Sequence, residues 1–211
     1  MHDDGRTSWP VVAETESRMP DAQIAVIGAS MGGIDALRLL VSGLPGNFSA
    51  PVCIVQHTSP KSRGWLADIL NPGTQLDVVR ARDRDALERG RVYVAPPDHH
   101  LLVDGGRLRL TKEPKQDGFR PAIDRLFQSA AQAFGPRAIG VVLTGLLDDG
   151  SSGLAAIKRC GGVAIVQDPA DARHPSMPRN ALNRVHVDYC LKLADIPGLL
   201  VALTSRPATP R

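Results

Sequence analysis

A chain of 211 residues, 43% hydrophobic and 22% charged, is long enough for one globular domain with a substantial core and short for two. Its 25 basic and 22 acidic residues leave a net charge of +3, the basic side chains form no run, and aromatic residues make up 4%, which together argue against nucleic acid as a partner. No apolar stretch reaches bilayer length and the first residues are acidic and polar, so the expectation is a cytoplasmic protein with no direct membrane insertion.

Residues 1–21 carry prolines and charges without periodicity and read as a tail or linker remnant; residues 206–211 read as a second tail, leaving 22–205 as the domain. Ile24 to Ile27 is a short apolar run that suits a strand buried on both faces, and Gly33 to Leu40 has apolar residues at helical spacing. Between them, Gly28-Ala29-Ser30-Met31-Gly32 fits G-x-S-x-G, in which the glycines permit a tight strand-to-helix turn that exposes a nucleophilic hydroxyl. The same layout suits a phosphate loop or a plain turn, and this stretch alone does not choose among them.

Pro51 to His57 is a second buried strand ending on a histidine, and Lys61 to Leu70 reads as a short helix closed by Asn71-Pro72-Gly73. Leu76–Val79 and Arg91–Ala95 read as strands, and Asp104-Gly105-Gly106 joins His100–Val103 to Arg107–Leu110 in a hairpin expected at an edge of the sheet. Thr111 to Gly118 should be an exposed loop. Ala122 to Phe134 forms a helix, Ala138 to Thr144 the strongest strand, and Ser151 to Cys160 another helix before the strand Val163–Gln167. Ser176 to Val185 reads as a helix, Asp188 to Leu193 as extended chain and Ile196 to Thr204 as a closing helix. This alternation predicts an α/β fold: a doubly wound, mostly parallel sheet with helices on both faces and an antiparallel edge hairpin.

In such a sheet the C-terminal strand ends share one edge, where ligands bind. Ser30 follows the first strand, His57 closes the second, and Asp148-Asp149 follows the strong one. A serine nucleophile needs a base, and the imidazole needs a carboxylate to fix its tautomer, so the three types together suggest an acyl-transfer site. His99, His100 and His174 are rival bases nearer turns, and Asp148-Asp149 before Gly150-Ser151 also suits a helix cap. The adjacent His99-His100 point to opposite faces of an extended chain, and no ligand-spaced His or Cys pair occurs, so no metal or other cofactor is expected. The three cysteines, Cys53, Cys160 and Cys190, sit beside apolar residues and read as reduced.

The segments Ile27–Gly33, Pro51–His57, Val92–Pro96, Arg120–Phe127, Leu143–Gly150 and Ser176–Arg179 resemble, in order, the catalytic domain of the CheB protein-glutamate methylesterases. The resemblance implies a Ser-His-Asp triad of Ser30, His57 and Asp149, with backbone N–H groups of Met31 and Leu146 at the oxyanion. It also implies hydrolysis of glutamyl methyl esters on the cytoplasmic helices of chemoreceptors, with glutamine deamidation in some members, and contact with other chemotaxis-type signalling proteins. Met31, Leu146 and Leu147 stand where the family commonly has threonine, methionine and glycine, and the roughly 20 residues before the first strand are too few for the family's receiver domain. A receptor- or kinase-binding module with weakened catalysis, and a serine esterase with another ester substrate, are the alternatives.

Overall fold

The computed structural model describes residues 24–205; both expected tails lie outside the described residues. Strands β1 (Ile24–Ala29), β2 (Val52–Gln56), β3 (Asp77–Arg80), β4 (Arg91–Val94), β7 (Ala138–Val142), β8 (Val163–Gln167) and β9 (Tyr189–Leu191) form one sheet of order β3-β4-β2-β1-β7-β8-β9. Every pairing in it is parallel. The strand order runs outward in both directions from β1, the doubly wound arrangement expected from the alternating elements.

Alternation along β1 divides the core. Ala25, Ile27 and Ala29 pack with α1 (Gly33–Ser42), α2 (Leu66–Leu70) and α6 (Ile196–Thr204), while Ile24 and Val26 pack with α3 (Ile123–Phe134), α4 (Ser151–Arg159) and α5 (Ser176–Arg184). Because both faces are covered, the central strands are apolar at every position rather than at alternate ones. Among the described residues no helix is long and apolar enough to cross a membrane.

Two expectations need correction. The hairpin, β5 (His100–Asp104) and β6 (Arg107–Thr111), is antiparallel as expected but forms a sheet of its own rather than an edge of the main one. Its Leu101, Val103 and Leu108 bury into the cluster that contains α3, so its apolar side is satisfied by a helix and not by strand pairing. The helix expected from Lys61 begins only at Leu66; the preceding Arg63–Gly64 turn is held by Arg80, whose guanidinium donates to both carbonyls.

Candidate active site

Strands β2, β1 and β7 are neighbours at the centre of the sheet, so the residues at their C-terminal ends are brought together by strand register. Ser30 leaves β1 with its N–H donating to Thr144 O at 3.1 Å, while His57 N–H donates to Ala29 O at 3.1 Å. Gly32 takes φ 74° to turn the chain into α1, a conformation that a glycine adopts without steric cost. Gln56, almost fully buried, braces the turn: its Nε2 donates to Ser30 O at 2.7 Å and to His57 O at 3.0 Å.

The side chains meet in a line. His57 Nδ1 lies 3.1 Å from Ser30 Oγ, and His57 Nε2 lies 2.7 Å from Asp149 Oδ2. A carboxylate only accepts, so the short contact places the imidazole proton on Nε2 and leaves Nδ1 free to accept. The side chains of His57 and Asp149 are only 7% and 1% exposed, which strengthens their mutual attraction by excluding water. The ring of Phe119 stacks on His57 with centroids 3.8 Å apart and planes 6° from parallel, closing one imidazole face.

Asp149 does cap a helix, but not the one that follows it. Its Oδ2 accepts from Ile123 N at 2.7 Å and its Oδ1 from Asp124 N at 2.9 Å, so it caps α3 and lies where the helix dipole favours negative charge. The exchange is reciprocal. Asp124, in the first turn of α3, accepts from Gly150 N at 2.9 Å and Gly153 N at 2.6 Å at the start of α4. Burial, and the neighbouring Asp149, push the Asp124 carboxyl up to about 6 against the pull of those N–H groups.

The sequence had further candidates, and the structure leaves them elsewhere. Asp148 pairs with Arg184 on the surface. His100 is buried with Nε2 at Pro114 O and Nδ1 accepting from Ala122 N, and burial lowers its proton affinity. His99 Nδ1 bonds the Pro97 carbonyl, and His174 joins through its backbone, donating to Thr144 Oγ1 and accepting from Gly145 N–H. Met31 and Leu146 flank Ser30 in sequence and across the Ser30–Thr144 contact, and their backbone N–H groups donate to nothing among the described residues. Gly145 must be small: a Cβ there would lie 2.8 Å from Ser30 Cβ and from Met177. Leu147 adopts φ 65°, and its carbonyl accepts from Asn180 Nδ2 at 2.7 Å.

The CheB methylesterase family profile matches residues 25–200 of this chain. The chain belongs to the CheB methylesterase family. It is 42% identical over 188 residues to a protein-glutamate methylesterase/protein-glutamine glutaminase of Anaeromyxobacter dehalogenans, covering 89% of this chain and 55% of that protein. A Pyrococcus abyssi protein with the same name is 40% identical, over 85% of this chain and 50% of its own length. The chain thus spans about half the length of these two CheB relatives, yet covers 93% of a Leptospira interrogans relative that is 40% identical. The crystal structure of the Thermotoga maritima CheB methylesterase catalytic domain superposes with a TM-score of 0.82 at 35% identity, over 86% of this chain and 98% of that one.

Proposed function

We propose that the chain is a protein-glutamate methylesterase that works through Ser30, His57 and Asp149, acting on methylated helices of chemoreceptors. The single observation that carries this reading is the continuous line from Ser30 Oγ through His57 to the buried Asp149 carboxylate. The names of the family relatives add the substrate class, including glutamine as a second substrate.

In the proposed mechanism Ser30 Oγ attacks the ester carbonyl as its proton passes to His57 Nδ1. The imidazolium so formed is stabilised by Asp149 through Nε2–H, and the oxyanion by the uncommitted N–H groups of Met31 and Leu146. Nδ1–H then protonates the departing methoxide, releasing methanol and leaving an acyl-enzyme. Water, deprotonated by the same nitrogen, attacks the acyl carbonyl; as the Ser30 ester bond breaks, Nδ1–H returns the proton to Ser30 Oγ, and the glutamic acid product loses its own proton to solvent. The ring presents Nδ1 to the serine and Nε2 to the carboxylate, the reverse of the chymotrypsin template, which is chemically equivalent because either nitrogen can serve as base.

The test is methanol release from a methylated receptor fragment. The parent chain should release it, and Ser30→Ala should lose at least about a thousandfold in turnover while keeping its circular dichroism and unfolding midpoint. Equal turnover by the two proteins would refute the assignment.

A further inference from the structure

Beyond the triad, the surface carries an apolar feature that the proposed chemistry does not use. Six of the seven large hydrophobic side chains exposed among the described residues fall into two groups: Met31, Leu146 and Leu147 on the turns that follow β1 and β7, and Ile34, Trp65 and Ile69. The second group lines an open cavity of about 330 Å³, at the small end of the range for ligand sites. Gln56, which holds the carbonyls of Ser30 and His57, forms part of the same wall, as does Thr58. Cavity and triad therefore share a boundary.

The cavity is structurally supported. Arg80 donates to the Arg63 and Gly64 carbonyls at 2.9 and 2.8 Å, fixing the turn that presents Trp65, and the Arg63 guanidinium lies 5.3 Å from the Trp65 ring centre. Arg63 and Arg80 both line the cavity and no carboxylate does, so its rim favours a negatively charged partner. Half-exposed Trp65, costly to leave in water unless covered, has the character of an interface anchor.

We propose that this cavity is an anchor site for an amphipathic, acidic α-helix. A large apolar side chain of that helix enters between Ile34, Trp65 and Ile69 while an ester one or two turns away sits at Ser30. The inference rests on the methylesterase reading and deepens it by assigning what selects the substrate. Residues three, four or seven apart share a helix face, so an apolar residue at such a spacing from the ester meets the same protein surface. Glutamates on the flanking positions meet Arg63.

The probe is a synthetic amphipathic helix of about 20 residues with one glutamyl methyl ester, a leucine four positions away and flanking glutamates. Its Kd is measured on the Ser30→Ala chain, where no turnover intervenes, and small methyl ester hydrolysis is measured with Ser30 intact. Trp65→Ala combined with Ile69→Ser should weaken the helix about tenfold or more and leave small-ester hydrolysis within twofold of the parent. Replacing the leucine of the probe with alanine should cause a similar loss, with little further loss when both changes are combined. An unchanged Kd, or equal losses on helix and small ester, overturns the anchor. Failure of the methylesterase reading would show separately, as no ester hydrolysis by the parent chain while the Kd arm still responds.

Discussion

Two turns leave neighbouring strands and meet at the site, yet they are built differently. The turn after β1 places a glycine, Gly32, at its left-handed position and is clamped by Gln56 from the next strand. The turn after β7 places Leu147 at a comparable angle, φ 65°, where a side chain crowds the backbone at a cost of about 1 kcal/mol or more. What holds it is external: Asn180 of α5 grips the Leu147 carbonyl, and Asp124 of α3 grips Gly150 and Gly153 beyond it. Ser30 is thus held by a glycine turn and by the strands beside it, whereas Asp149 and its loop are held by residues of α3 and α5.

Perturbations of the two turns should therefore differ in kind. The largest effect is expected for Asp149→Asn, which removes the charge behind His57 and should lower turnover about 10³–10⁴-fold while an amide oxygen still caps α3; a loss under tenfold would separate Asp149 from the chemistry.

Asp124→Asn probes the carboxylate side through pH. The native pKa of Asp124, about 6, lies above the roughly 3.9 of an unfolded aspartate. The native state therefore binds more protons, and the parent loses stability as pH rises from about 4 through 6, by at most about 3 kcal/mol. The neutral amide lacks that slope, so urea unfolding at pH 4.5 and 7 should show the stability difference moving in favour of the variant at the higher pH. A difference independent of pH would mean that Asp124 does not titrate in this range.

Gly145→Ala tests where the turns touch. Its Cβ would press on Ser30, and since displacement of a reacting group by about 1 Å costs about a hundredfold, turnover should fall by that order. The smallest change is expected for Leu147→Gly. It removes the backbone crowding and little packing, because that side chain is exposed, so the protein should gain about 1 kcal/mol, or about 2–4 °C in Tm. A lower Tm would show that the leucine contributes more than its angle costs.

The outline of this site was legible because strand ends are local features. Buried apolar runs followed by Ser30, His57 and Asp148-Asp149 identify one sheet edge, and strand order in the structure places the three strands side by side. Choosing Asp149 over Asp148 required the family resemblance; the structure supplies the physical difference, since one carboxylate is buried between two helices and the other faces Arg184. Asp124, Gln56 and Phe119 were not legible. Each acts through a contact across the sheet or between loops, and a helix-first-turn aspartate, a strand-end glutamine and a loop phenylalanine look ordinary in sequence. The hairpin lies off the main sheet for a related reason: its turn and apolar residues specify a pair of strands with a side to bury, not whether a strand or a helix covers it.

The exchange of carboxylates between α3 and α4 also makes the site self-reporting. The amide protons of Ile123 and Asp124 are bonded by Asp149 and those of Gly150 and Gly153 by Asp124, all four in buried positions. Hydrogen exchange at these four amides would thus register, without substrate or label, how often this buried junction opens, and whether the Asp149 pair of amides opens alone or together with the Asp124 pair.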